Sequence, residues 1–155
     1  MKLSVRGEYA LRALTVLALD YLEDDSVVPI QQISVRQNIP RRFLEQILND
    51  LRSAGIVESK RGVAGGYRLR LPPDRITLAR VIRHIEGPLA PVSCVSEQFY
   101  EKCTCPDEKL CGIRSVMQDV RGAIVKILEE VTLAQLCERV RNLQGKQAHP
   151  MDYII

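Results

Sequence analysis

Four of the five cysteines lie between residues 94 and 111, as Cys94, Cys103, Cys105 and Cys111, separated by eight, one and five residues. Thiolates are the preferred ligands of zinc and of iron–sulfur clusters, and several in one polar stretch can converge on one ion. The spacing does not give two Cys-x-x-Cys knuckles, so a zinc ribbon fits poorly. Cys105-Pro106 is a cysteine–proline pair of the ferredoxin kind, a short signal on its own. The fifth thiol, Cys137, falls in an apolar helical pattern and reads as a buried structural residue. The two histidines, His84 and His149, lie outside the stretch.

The elements that would hold such a stretch follow from the rest of the chain. At 155 residues the chain has room for one good core, or a small domain with an extension. Leu3 to about Leu22 carries Leu11, Leu14, Leu17 and Ala18 at helical spacing, with Tyr9, Val16 and Tyr21 widening the buried face. A short helix follows Pro29 and ends at the turn Gln37-Asn38-Ile39. Pro40 then starts a third helix to about Ser53, with Phe43, Leu44, Ile47, Leu48 and Leu51 on its apolar side. Gly55 supplies a left-handed close. Two short strands, 56–59 and 67–71, flank a loop too long and too rich in glycine for a tight hairpin. Thr77 is the expected N-cap of a helix through Ile85. After the cysteines, a long amphipathic helix begins near Gly112, and Thr132 caps a short last helix, Leu133 to Leu143.

Helix, helix, helix, strand, glycine loop, strand is the order of a winged helix-turn-helix, in which the third helix meets base edges in the major groove. The expected fold class is mostly α with a small β-wing, a winged helix-turn-helix followed by a long dimerisation helix. The divisions are residues 1–87 for DNA binding, 88–111 for the cysteine loop, 112–143 for dimerisation and 144–155 for a flexible tail. The residues placed against DNA are Pro40, Arg41, Arg42 and Gln46 on the third helix, with Lys60 and Arg61 at the base of the wing. Ser34 and Arg36 are placed against the backbone. Arginine reads guanine bidentately and glutamine reads adenine. Arginines at a helix start oppose the helix dipole, which is easier to explain if phosphates or bases face them. Charge agrees: residues 1–85 hold 14 Lys and Arg against 9 Asp and Glu, while residues 86–155 hold 8 against 10. The surplus lies where phosphates would be met.

Other classes are disfavoured. There are no paired carboxylates, no phosphate loop and no nucleophile–histidine arrangement, so an enzyme is not expected. No apolar run is long enough to span a bilayer, and the first residues lack the apolar core of a signal peptide. A cytoplasmic setting is therefore expected, where thiols stay reduced and clustered thiols bind metal more readily than they pair.

Several segments together make a specific resemblance. They are Gly7-Glu8-Tyr9-Ala10-Leu11-Arg12-Ala13-Leu14, Phe43-Leu44-Glu45-Gln46-Ile47-Leu48, Leu51-Arg52-Ser53-Ala54-Gly55-Ile56-Val57 and Ser59-Lys60-Arg61-Gly62-Val63-Ala64-Gly65-Gly66-Tyr67-Arg68-Leu69. The chain resembles the IscR/NsrR-type family of bacterial winged-helix transcription regulators, over nearly all of its length except the tail. The resemblance implies a homodimer on double-stranded DNA with a palindromic operator. It implies an iron–sulfur cluster, 2Fe–2S ahead of 4Fe–4S, sensing redox, iron–sulfur status or nitric oxide. Cys94 and Cys111 match the family's outer ligands, and the middle one is Cys103 or Cys105. The family's histidine position is Arg114 here. The fourth ligand would then be Glu8, reaching across the dimer, or all four loop cysteines would ligate. Glu8 reads equally well as a surface carboxylate near a helix start. Two other readings stay open: a cluster-free thiol-redox or zinc-dependent regulator, and a regulator controlled by binding a metabolic enzyme.

Overall fold

The computed structural model describes residues 2–147. Helices α1 (Val5–Glu23), α2 (Ile30–Gln37) and α3 (Arg41–Ser53) precede strands β1 (Val57–Lys60) and β2 (Gly66–Leu69). Helix α4 (Leu78–Glu86) leads into the cysteine segment, which holds two 3-10 turns. Helices α5 (Gly112–Glu130) and α6 (Leu133–Gln147) follow. The fold is the expected one, mostly helical with a two-stranded wing.

Local chemistry sets the boundaries. Ser4 caps α1 by accepting from the Gly7 N–H, and Thr77 caps α4 by accepting from the Arg80 N–H. Pro29 and Pro40 are N-caps rather than first-turn residues of α2 and α3, each in extended backbone. Asn38 closes α2 in the left-handed region, and Gly55 does the same after α3.

The main core joins α1, α2, α3 and the wing through Leu14, Leu17, Ile33, Leu44, Leu48, Leu51 and Ile56, all fully or almost fully buried. The wing pairs antiparallel, Val57 opposite Leu69 and Lys60 opposite Gly66. It gains a third line of backbone from Val28, which exchanges two hydrogen bonds with Tyr67 at 2.8 and 2.9 Å. A Cβ at position 66 would collide with the Val28 carbonyl, so this close approach requires Gly66.

Two features depart from the sequence reading. The last helix reaches Gln147 rather than Leu143, so residues 144–147 of the expected tail are helical; residues 148–155, with His149, lie outside the described ones. The last helix also does not travel with α5. A backbone bridge, Thr77 to Thr132, turns the chain back, and Leu133 and Cys137 insert fully buried into the main core. Helix α5 is thus left outside. None of its 19 residues is buried, and Ile113, Val116, Val120 and Ile127 are exposed by 40% or more. These positions, with the exposed Ala123, fall at alternating steps of three and four residues, the seam of a coiled coil. The opposite face packs Ile124, Val125 and Leu128 onto Ala79, Ile82 and Leu89.

Candidate functional site

Two surfaces carry the residues singled out by the sequence. The first is the start of α3 with the wing. Pro40 leaves the α3 N-terminus without a capping side chain and without an acidic residue in the first turn. The first amides are therefore open to an anion. Arg41 and Arg42 flank them, both exposed; Arg41 pairs with Glu45 at 3.1 Å, and Arg42 lies over the Phe43 ring at 4.9 Å. An ion pair this exposed is weak and gives way readily to a phosphate. Gln46 is exposed one turn further on.

Between α3 and the wing runs an open groove of about 420 Å³ whose lining includes Arg41, Arg52, Lys60 and Arg61. Four cations with no carboxylate in the lining make a path for a polyanion backbone. Arg52 was not singled out in the sequence. Its Nη1 donates to Ser59 Oγ at 3.2 Å, which holds the guanidinium toward the wing. The clue was available: Arg52 and Ser59 flank the one turn that joins α3 to β1.

Ser34 and Arg36 have local partners instead. The Ser34 hydroxyl donates to the Ile39 carbonyl at 2.7 Å and locks the helix-turn-helix turn. Arg36 donates to Asp20 at 2.7 Å and ties α2 to α1. Both stabilise the module, and neither is part of the cationic groove.

The second surface is the cysteine segment. Cys94 is buried in a 3-10 turn, Cys103 and Cys111 are partly buried, and Cys105 is exposed; all five cysteines are free thiols. The Cys105 thiol is shifted by its sulfur neighbours. Contact with Cys103 first, then desolvation, then contact with Cys111, pushes it up to about 12. Crowded thiols resist ionisation because each new thiolate faces sulfur rather than a cation. A soft metal would reverse that penalty.

Arg114 organises this arrangement. Its backbone N–H donates to Cys111 Sγ at 3.4 Å, and its side-chain Nε donates to the Cys94 carbonyl at 3.2 Å. The position that cannot supply a histidine thus holds the first and last cysteines together. Glu108 fixes the middle. It accepts from the Tyr100 hydroxyl at 2.7 and 2.8 Å and from the Cys103 N–H at 3.4 Å. The shared hydrogen bond raises the Tyr100 phenol and holds the Glu108 carboxyl below its usual range. Glu97 anchors the segment to α5 through Arg121 at 2.8 Å.

The donor chemistry, all sulfur with backbone donors beside it, fits an iron–sulfur cluster or zinc. Within one protomer no three Cys, His, Asp or Glu among the described residues stand at ligating geometry. Arg114 links Cys94 to Cys111. Glu8 is not brought to them; its side chain is 59% exposed and pairs with Arg12 at 3.4 Å. Arg12 in turn donates to the Gln37 carbonyl in the helix-turn-helix turn. The His84 Nε2 faces the Asp50 carbonyl at 3.1 Å. Cys137 is fully buried, and burial raises its thiol, as a structural cysteine requires.

Known proteins share this design. Residues 3–139 match the Rrf2 family, described as an iron-dependent transcriptional regulator. An rrf2-like HTH-type protein of Rhodobacter capsulatus is 40% identical over 131 residues, 83% of this chain and 87% of the relative. The solved structure of CymR, titled the global cysteine regulator of B. subtilis, superposes with a TM-score of 0.75 at 31% identity, covering 90% of this chain and 98% of that one. IscR of T. potens gives 0.73 at 29%, covering 93% and 91%. These are regulators, not enzymes, and among the described residues no helix is long and apolar enough to cross a membrane. This chain belongs to the Rrf2 family of transcriptional regulators.

Proposed function

We propose that the protein is a cytoplasmic homodimeric regulator that binds a palindromic operator and senses redox, iron–sulfur status or nitric oxide through its cysteine loop. The observation that supports the sensing half is the tie that Arg114 makes between Cys94 and Cys111, beside the hold of Glu108 on the Cys103 backbone. Cys94 and Cys111 are the outer ligands, with Cys103 or Cys105 between them. Glu8 of the second protomer or the remaining thiol completes the set. A 2Fe–2S cluster is preferred to 4Fe–4S. When bound, the cluster supplies an oxidant- and nitric-oxide-sensitive iron centre. The protein's own residues do the rest. Arg114 and Glu108 hold the loop, the heptad face of α5 joins two copies, and each copy presents Arg41, Arg52, Lys60 and Arg61 from its groove, with Arg42 and Gln46 on the exposed side of α3, to DNA. A shift in dimer geometry changes the spacing of the two α3 helices and hence affinity.

The test is a fluorescence-anisotropy titration of the dimer on the promoter of its own gene, with cluster-loaded and metal-free protein. At least a fivefold difference in Kd is expected, on the order of 1 kcal/mol of coupling. Equal affinities, or no binding to the promoter, would refute the reading.

A second reading has its own support. The structural likeness to CymR is as close as that to IscR, and free thiols clustered in one loop also suit direct thiol oxidation. In that reading the loop works without iron, binding zinc or forming a disulfide, or the regulator answers to a metabolic enzyme. Bound sulfide separates the two, because zinc and thiol chemistry need none.

A further inference from the structure

The last turn of α4 runs directly into the cysteine loop and touches three other helices. Arg83 donates to Glu129 of α5 at 2.7 Å. The His84 ring meets the Asp50 carbonyl of α3 at 3.1 Å. The Glu86 carboxylate accepts from the Ser4 N–H at 3.1 Å and from the Ser4 hydroxyl, at the start of α1. Arg6, in the same first turn of α1, forms an ion pair with Asp50. The start of α1, the second half of α3 and the end of α4 thus form one ring of contacts.

Glu86 is badly placed for its own helix and well placed for another. A carboxylate in the last turn of α4 opposes that helix's dipole, yet at the N-terminus of α1 it meets the favourable end of another and accepts from the capping Ser4. The approach is close enough that a Cβ at Gly7 would collide with Glu86 Oε1. Gly7 and Glu86 are therefore matched in size, and Glu8 sits on the turn that they fix. Neither contact is needed to fill the main core, since Glu86 is exposed.

We propose that Glu86 is a positioning residue that couples the cysteine loop to α1 and α3: its grip on Ser4 and Gly7 makes a change in the loop move the first turn of α1 and, through Asp50, the recognition helix. The inference rests on reading the loop as a sensing element, but it does not depend on what the loop binds.

Amide hydrogen exchange on the full-length, reduced, metal-free protein tests it, before and after the loop thiols are alkylated with iodoacetamide. In the wild type, alkylation should speed exchange of the Gly7 and Glu8 amides and of residues 44–50 by about threefold or more, as local opening allows. Glu86→Ala should abolish that response. Gly7→Ala should also abolish it, because it displaces an intact carboxylate. Glu86→Gln keeps an acceptor oxygen and should retain it. A merely structural role would lower the melting temperature of the two Ala variants and leave the response in place. An undiminished response in both Ala variants, or none in the wild type, would overturn the proposal. No step uses iron, so failure to load a cluster and failure of this coupling are separate results.

Discussion

The DNA-binding module and the cysteine segment differ in how far one chain can complete them. In the module, Leu14, Leu44, Leu48, Leu51 and Ile56 are wholly buried by α1, α2, α3 and the wing. In the segment, no three metal-ligating side chains among the described residues stand at ligating geometry, and α5 buries no residue of its own. One half is a finished core, and the other is a set of donors and an apolar seam awaiting something outside the protomer. The contrast accounts for how a small regulator divides its tasks. Reading DNA needs a fixed shape, whereas sensing needs a part whose shape depends on what is bound.

The contrast can be broken at either end. Leu48→Ala should have the largest effect, a loss of about 2–5 kcal/mol measured by denaturant unfolding, because it opens a cavity in the finished core. The paired change Val116→Asp and Val120→Asp should leave that unfolding midpoint nearly unmoved. It should instead lower dimer affinity by about a thousandfold, since unpaired charges in an apolar seam cost several kcal/mol. Sedimentation equilibrium would read a monomer. A dimer that persists would place the interface elsewhere.

Cysteine substitutions sharpen the same division. Cys94→Ala and Cys111→Ala should each abolish cluster retention with little change in folding, whereas Cys137→Ala should keep iron and lose stability by up to about 2 kcal/mol as a buried thiol is trimmed. Iron retained in both loop variants would remove Cys94 and Cys111 from the ligand set. The smallest effect is expected at the groove. Arg52→Ala and Arg61→Ala should each weaken binding to all duplexes alike and reduce the slope of log K against log salt by about 1. An effect confined to one base position would make either arginine a base reader.

Much of the module was legible because local rules set it. The spacing of Leu11, Leu14 and Leu17, the cap Thr77 and the left-handed Gly55 act within a few residues, whereas the Ser4 cap moves the start of α1 from Leu3 to Val5. The wing followed from a glycine loop between two apolar pairs. What the sequence hid was long-range. The return of α6 depends on backbone pairing between Thr77 and Thr132. Arg114 meets a carbonyl 20 residues away. The local partners of Ser34 and Arg36, the Ile39 carbonyl and Asp20, are likewise not marked by spacing. In the cysteine loop, the hold of Glu108 on the Cys103 backbone and of Arg114 on Cys94 and Cys111 is one that no spacing rule marks.

The central claim is that the unfinished half is completed by an iron–sulfur cluster held on the loop thiols. Anaerobic purification, with iron and acid-labile sulfide assayed per chain beside the visible spectrum, tests it most directly. The account predicts a coloured protein with iron and sulfide in equal amounts, both absent from the Cys94→Ala and Cys111→Ala variants. A colourless protein without sulfide, whether zinc-bound or metal-free, would contradict it.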